Sequence, residues 1–159
     1  MSSDDMYAGT LLTDEVVVRS ATEDDLDAIV KVDAAAGGIV RTQYLFRRLK
    51  MALQDGGIRL ALVGELDGSV VGFVLAAVDY GEFGRAAPSA VLDALSVHPD
   101  FRGHHVAAAL FRQVEMQLRA LGIETLRTEV AWDQEELMGF FRHAGFLPAA
   151  RLCLQKELA

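Results

Sequence analysis

The chain has 159 residues, 52% apolar and 24% charged, a balance that predicts one globular domain with a sizeable core. No apolar run reaches the roughly 20 residues of a membrane-spanning helix, and the acidic start MSSDDMYAGT does not resemble a secretory signal. The net charge of −8 and the pI of about 4.9 argue against a nucleic-acid or membrane surface, and a single cysteine excludes an internal disulfide. We therefore expect a cytoplasmic protein with a loose tail at residues 1–13 and one domain at residues 14–159.

The first half of the chain predicts two helices between strands. Thr22 is followed by three acidic residues, which is typical of a helix start, and the apolar stripe that follows ends at Gly37–Gly38. Asp67–Gly68 separates two strand-like runs and favours a tight hairpin turn. In chain order we predict a strand at 15–19, a helix from Thr22 to Gly37–Gly38, a helix at 41–54, and strands at 58–65 and 69–80.

The second half alternates strands with helices. In chain order we predict a strand at 90–97, a helix at 103–121, a strand at 124–131, a helix at 133–144, and a last strand ending near Leu158 with Cys153 buried in it. The strand–helix–strand units need parallel crossovers, whereas hairpins give antiparallel neighbours. The predicted fold is therefore α/β, with a mixed central sheet of about six to seven strands flanked on both faces by about four helices.

The stretch FRGHHVAAAL, residues 101–110, lies where a strand gives way to a helix. Such a junction can hold an anion, because the first amides of a helix lack intrahelical partners and the helix dipole is positive there. Arg102 would add charge, and Gly103 would let a ligand approach closely. Taken alone, the stretch fits a phosphate site, and it also fits a solvated helix cap in which His104 and His105 are surface rings.

Other segments accompany this junction. VRSATEDDLDAI (18–29) spans a strand and a helix start, VGF (71–73) follows the Asp-Gly hairpin, and FFRHAGF (140–146) ends the last helix. Together with VHPDFRG (97–103) and the order of elements, these segments make the chain resemble the GNAT superfamily of acyl-CoA-dependent N-acetyltransferases over residues 15–158. The resemblance implies the acyl-CoA N-acyltransferase fold, acetyl-CoA as co-substrate and no metal. It also implies direct attack by an amine of a small molecule or peptide in a ternary complex.

The resemblance further implies a site for CoA. Amides of the loop at 102–108 would bind the pyrophosphate, the strand edge at 95–97 would pair with the pantetheine arm, and two residues of the last helix would line the thiol end. The cofactor-binding residues implied in this way are Leu95, Ser96, Val97, Arg102, Gly103, His104, His105, Val106, Ala107, Ala108, Gln134 and Phe141.

Two positions depart from the family pattern. Arg102, His105 and Ala107 represent the pattern Gln/Arg-x-x-Gly-x-Gly/Ala, so a histidine stands where the family has its central glycine. Its ring could still donate an N–H to a phosphate. Phe141 stands where many members carry a tyrosine that protonates the departing thiolate, and that role does not carry over.

Two carboxylates are candidates for the catalytic base. Transfer to an amine requires the neutral amine, so a base must take a proton directly or through water. Asp93 in VLDALSV lies where several members keep a carboxylate base, and alternation places it on the side of Val91 and Leu95. A carboxylate among apolar neighbours must be paired or used, so Asp93 is either the base or a structural hydrogen-bonding group. Glu129 in TEVAW is the second candidate.

Three functions remain open at this point. The leading prediction is an acetyl-CoA-dependent N-acetyltransferase. The alternatives are a non-catalytic acyl-CoA-binding sensor and a non-acyl nucleotide binder that uses the same loop amides at 102–108, which we call the amide cradle. The acceptor amine is not identified, and the resemblance leaves a homodimer open. Two further sets of polar residues lie on the expected acceptor side. The first set, on a helix, is interpreted as solvated surface: Arg41, Tyr44, Arg47 and Arg48. The second set, at a strand end, could bind a cation or form a solvated loop, and we favour the loop: Asp79, Tyr80 and Glu82.

Overall fold

The structure, a computed structural model, describes residues 15–37, 40–54, 59–84 and 86–159. The chain divides into two units, the first ending at Thr128 and the second formed by Glu129–Ala159. The predicted tail at 1–13 and the second glycine of the predicted helix stop, Gly38, lie outside the described residues.

Helices and strands follow the predicted order up to the last helix. In the first unit they are β1 (Val17–Ser20), α1 (Leu26–Gly37), α2 (Thr42–Gln54), β2 (Arg59–Leu66), β3 (Ser69–Asp79), β4 (Ser89–Val97), α3 (Val106–Ala120) and β5 (Leu126–Arg127). The second unit contains α4 (Glu135–His143). Within the described ranges, no helix combines the length and the apolar character that a bilayer crossing requires.

The sheet is mixed, as the sequence predicts. β1 to β4 form an antiparallel meander, and β5 adds parallel to β4. The hairpin between β2 and β3 turns at Asp67 and Gly68, whose φ angles of 50° and 79° match the strand twist in a two-residue turn. The parallel step from β4 to β5 passes through α3, because strands of the same direction need a crossover.

Helices cover both faces of this sheet. One buried cluster joins α1 and α2 to the sheet through Ile29, Val32, Leu45, Leu49, Val63, Phe73 and Leu75. Gly72, the neighbour of Phe73, faces the other way, and a Cβ added there would lie 2.8 Å from Val106 Cγ1 of α3. Because successive strand residues point to opposite faces, α3 lies on the face opposite to α1 and α2.

The sheet has fewer strands than predicted, with five in the described residues. The predicted strand at 124–131 is reduced to Leu126–Arg127, and the run from 146 to the C-terminus forms no strand. Cys153, predicted to be buried in that run, is exposed. An alternating pattern marks a run that suits a sheet, but a strand forms only where a neighbouring backbone supplies hydrogen bonds, and the pattern does not report that neighbour.

Arg19 joins β1 and β2 to the chain entering α1. Its guanidinium donates to both oxygens of Asp25, at 2.7 and 2.8 Å, and to Glu65 at 2.8 Å. Asp25 also accepts a hydrogen bond from the Thr22 amide at 2.7 Å, which completes the capping predicted at this helix start. These hydrogen bonds, above all those from Arg19, hold the pKa of the Asp25 carboxyl below its ordinary value.

Candidate active site

β4 has an open edge that leads toward α3. On one side the strand pairs with β3 along its length, whereas on the other side its pairing with β5 ends at Val91. From Asp93 to Val97 no described strand pairs with this second edge. The backbone groups of this edge are therefore left without a ladder partner among the described strands.

Asp93 occupies a bulge in β4. Leu92 and Ala94 pair with the consecutive residues Ala76 and Leu75 of β3, so Asp93 is an extra residue without a pairing partner of its own. A bulge re-aims the side chain that it carries, and it interrupts the regular alternation predicted across VLDALSV. The Asp93 side chain keeps 19% of its surface exposed. The first candidate base thus lies at the start of the open edge.

A chain of polar contacts links Asp93 to α2 and α1. Arg48 Nη1 lies 3.6 Å from Asp93 Oδ2, and the Arg48 guanidinium lies 5.5 Å from the centre of the Tyr44 ring. Arg41 lies 5.0 Å from the same ring and donates to both oxygens of Asp33, at 2.6 and 2.8 Å. Asp33 raises the pKa of Arg41 above its ordinary value. Defined contacts are thus made by Arg41, Tyr44 and Arg48, and their interpretation as solvated surface was wrong. Arg47 is exposed, in agreement with that interpretation.

Asp33 is the residue of this chain of contacts that sequence reasoning missed. Its side chain is only 5% exposed, and the Ser96 hydroxyl of β4 lies 3.5 Å from its Oδ1. A signal exists in the sequence, because Asp33 follows Ile29 by four residues and so falls on the buried stripe of α1. A carboxylate at such a position needs a partner, and the pattern does not say which residue supplies it.

In the turn after β4, two amides of the predicted cradle at 102–108 donate hydrogen bonds to carbonyl groups of the turn and are not available to a ligand. A single turn of 3-10 helix at Pro99–Phe101 leads into the loop. The Arg102 amide donates to the Pro99 carbonyl at 3.3 Å, and the His104 amide donates to the Phe101 carbonyl at 3.4 Å. Gly103 lies between them with φ of 87°, a conformation that favours glycine. The cradle is therefore narrower than the whole stretch 102–108.

The start of α3 supplies the remaining amides. The helix begins at Val106, and its first hydrogen bond runs from the Ala109 amide to the His105 carbonyl at 3.0 Å. The amides of Val106, Ala107 and Ala108 precede that bond and so have no intrahelical partner. His105 has φ of 61° and ψ of 22°, the left-handed conformation expected of the glycine that it replaces. His105 therefore adopts a backbone conformation that is usually reserved for glycine.

Three of the predicted site residues belong to the second unit. Gln134 is the exposed N-cap residue of α4, and its Oε1 accepts a hydrogen bond from the Ala131 amide at 3.3 Å. Phe141 is 4% exposed, and its ring centre lies 4.9 Å from that of Phe146 in an edge-on contact. Glu129 is exposed. Within this unit Phe141 is a packing residue, while Gln134 and Glu129 lie at the surface.

Asp79 is held in a structural ion pair. Its Oδ2 accepts a hydrogen bond from Arg127 Nη2 at 2.7 Å, and Arg127 Nε also donates to the Ser89 hydroxyl at 3.4 Å. These bonds connect the ends of β3, β4 and β5, so the interpretation of Asp79 as solvated loop was wrong. The neighbouring Tyr80 is 68% exposed, in agreement with that interpretation.

The geometry of the first unit combines an anion site with a carboxylate. The amides at the start of α3 can bind a phosphate group, the open edge of β4 can pair with an extended chain, and Asp93 can exchange a proton. In the described ranges no group of three or more His, Cys, Asp or Glu side chains is arranged to hold a metal ion. This mixed sheet, with a helix that begins beyond the open edge of β4, agrees with the acyl-CoA N-acyltransferase fold that the resemblance implies.

A comparison with family models identifies the family. The model of the acetyltransferase (GNAT) family matches residues 26–146. The chain therefore belongs to the GNAT acetyltransferase family, and the resemblance drawn from the sequence is confirmed.

Solved structures show the same fold. The aminoglycoside acetyltransferase AAC(6')-Iy, in complex with the bisubstrate analog CoA-S-monomethyl-acetylneamine, has a TM-score of 0.77 at 17% identity, over 91% of this chain and 99% of that chain. The aminoglycoside 6'-N-acetyltransferase AAC(6')-Ih from Acinetobacter baumannii has a TM-score of 0.76 at 17% identity, with the same coverage. A transcriptional regulator from Bacillus halodurans C-125 has a TM-score of 0.75 at 18% identity, over 91% of this chain and 100% of that chain. At such identities the likeness shows the fold alone.

Proposed function

We propose that the protein is an N-acetyltransferase that moves the acetyl group of acetyl-CoA to an amine of a small molecule or peptide, by direct attack in a ternary complex. The observation that carries the proposal is the open edge of β4, which has the Asp93 bulge at its start and the amides of α3 beyond its end. The enzyme works in the cytoplasm as one domain over residues 14–159. Family membership and the CoA-containing complex of a structural neighbour support this reading.

Acetyl-CoA binds along this edge. Its pyrophosphate lies against the amides at 105–108 and that of Gly103, where the helix dipole is positive, and Arg102 adds charge. Its pantetheine arm pairs with the backbone at 95–97, and a backbone amide of the edge polarises the thioester carbonyl. That Gln134 and Phe141 line the thiol end remains a prediction from the resemblance.

Asp93 acts as the base. An aliphatic amine has a pKa of about 10 and arrives as an ammonium ion, so a proton must leave before the nitrogen can attack. Asp93 takes this proton through water, the nitrogen forms a bond to the thioester carbon, and the carbon–sulfur bond breaks. The second amine proton leaves to solvent, and the thiolate takes its proton from water because Phe141 has no acidic group.

Turnover of acetyl-CoA with pooled amines tests the proposal. We expect release of free CoA and acetylated products detected by mass spectrometry. Asp93→Asn should stay folded and bind acetyl-CoA but lose about 10²-fold in rate, the scale of general-base assistance. Raising the pH should restore part of the loss, because more of the amine is then neutral.

Glu129→Gln is the control that separates the two candidate bases, and it should keep the parent rate. If Glu129→Gln loses activity while Asp93→Asn keeps it, the roles are reversed. If acetyl-CoA binds but no amine causes release of free CoA, the sensor function is favoured instead. The phenylalanine at position 141, where many members have a tyrosine, is consistent with that function.

A further inference from the structure

The segment 41–54, which is Arg41 together with α2, is basic in an acidic chain. Four cationic side chains and no acidic ones lie between residues 41 and 54, whereas the whole chain has a net charge of −8. One of these cations, Arg48, lies beside Asp93. The proposed base therefore lies beside a cationic segment of a chain whose net charge is negative.

Contacts with Tyr44, which in turn lies beside Arg41, restrict the position of Arg48. Arg41 is committed to Asp33 through two hydrogen bonds of 2.6 and 2.8 Å. The Tyr44 ring lies near both guanidinium groups, 5.0 Å from that of Arg41 and 5.5 Å from that of Arg48. Such contacts between a cation and an aromatic ring are attractive and restrict the side chains that make them. Arg48 is thus oriented by its neighbours on the helix.

Arg48 and Asp93 form a looser ion pair than those that hold the fold. Their closest N–O distance is 3.6 Å, whereas that of Arg41 with Asp33 is 2.6 Å. A charge-assisted hydrogen bond needs about 2.7 to 2.9 Å, so Arg48 and Asp93 are close without being hydrogen-bonded to each other. Arg48 also keeps 34% of its side chain exposed. Both groups therefore retain hydrogen-bonding capacity for a ligand.

We infer that the acceptor is a free amino acid, an amine that carries a carboxylate, with its carboxylate bound to Arg48 and its amine facing Asp93. Such a zwitterion brings an opposite charge to each member of the loose pair and can form charge-assisted hydrogen bonds with both. A polycation such as a polyamine or an aminoglycoside meets unfavourable like charge on α2. The inference rests on the proposed function, because Asp93 is the group that receives the amine.

The test compares each amino acid with its carboxamide, which keeps the amine and removes the carboxylate. With the 159-residue chain and acetyl-CoA, we expect kcat/KM to be about 10- to 100-fold higher for the acids, the range of a hydrogen bond between charged groups. Arg48→Gln should bring the acid-to-amide ratio close to one by raising KM for the acids. Lys50→Gln removes the same charge from an exposed position on α2 and should leave the ratio unchanged.

The outcomes separate this inference from the proposed function. Equal kcat/KM for acids and amides, or a preference for spermidine or kanamycin, overturns the inference while acetyl transfer stands. If acetyl-CoA binds and no amine is acetylated, the proposed function fails and the inference fails with it. Arg48→Lys, which retains the charge, should keep a preference for acids. If neither Arg48 variant folds, the ratio measured with the parent decides the matter.

Discussion

Replacing Gly72 by alanine tests whether close packing of α3 on the sheet positions the amide cradle. The new Cβ would lie 2.8 Å from Val106 Cγ1 and 3.2 Å from both Leu110 Cδ1 and the Ser96 carbonyl oxygen. Ordinary contact begins at 3.4 Å, so the Val106 methyl must move by about 0.6 Å (3.4 minus 2.8). Rotating the side chain is costly, because valine in a helix has one strongly preferred χ1 rotamer.

The expected cost of Gly72→Ala follows from this overlap. Overpacking of a closely packed site costs typically about 1 to 3 kcal/mol, and backbone as well as side-chain atoms are involved here, so we expect about 2 kcal/mol. For a chain of this length that loss lowers Tm by about 4 to 8 °C. Because Val106 is the first residue of α3, its displacement should also weaken CoA binding.

Thermal unfolding and calorimetric titration with CoA measure the two effects. Gly37→Ala is the matched control, because a Cβ added to this last residue of α1 meets no atom of the described residues within 4 Å. It should be neutral or slightly stabilising. A Gly72→Ala variant as stable as the Gly37→Ala variant would refute the close contact. Lost stability with unchanged CoA affinity would show instead that the packing of α3 does not position the cradle.

Three further predictions concern single side chains. Asp25→Ala should lower the free energy of unfolding at neutral pH by about 2 kcal/mol in urea titrations, because Arg19 loses its paired carboxylate. Asp24→Ala, at an exposed position of the same turn, is the control and should change this free energy little. Because the pKa of Asp25 is lowered in the folded chain, this stabilisation is present above the pKa of the unfolded chain, about 3.9, and is lost as the pH falls through the lower pKa of the folded chain. A difference in the free energy of unfolding between parent and variant that persists in strong acid would contradict the account. His105→Gly should retain CoA affinity because glycine adopts the left-handed conformation without strain, and equal weakening of CoA binding in His105→Gly and His105→Ala would mean that the ring itself contacts phosphate. Phe141→Tyr should leave the acetylation rate unchanged or raise it, because a phenol can donate a proton, and a collapse of the rate with folding and CoA affinity intact would show that the role of Phe141 is misread.

Features that depend on neighbouring residues could be predicted from the sequence. The cap at Thr22, the hairpin at Asp67–Gly68 and the strand-to-helix junction at Gly103 are each set by a few adjacent residues, and the structure has all three. Such signals fixed the order of elements and therefore the mixed sheet. The resemblance to the GNAT family was accessible for the same reason, because its motifs lie at these junctions.

Features that depend on distant residues could not be predicted. The bulge at Asp93 exists only in the register of β4 with β3, so the regular alternation predicted across VLDALSV breaks at this residue. Asp33 of α1 forms an ion pair with Arg41, which directly precedes α2, and Arg48 of α2 lies beside Asp93 of β4. The last predicted strand failed similarly, because its apolar pattern does not contain the backbone partner that a strand requires. Local pattern sets the elements, whereas pairing between them decides the site.

Calorimetric titration of CoA into the parent and into Arg102→Glu tests the central claim most directly, with Arg112→Glu as a control that makes the same charge change at an exposed position farther along α3. The account predicts that the parent and Arg112→Glu bind CoA with similar affinity, and that Arg102→Glu binds about 10- to 100-fold more weakly, as expected when a charged contact to phosphate is reversed. Absence of CoA binding by the folded parent, or equal affinity of Arg102→Glu and the parent, would contradict it.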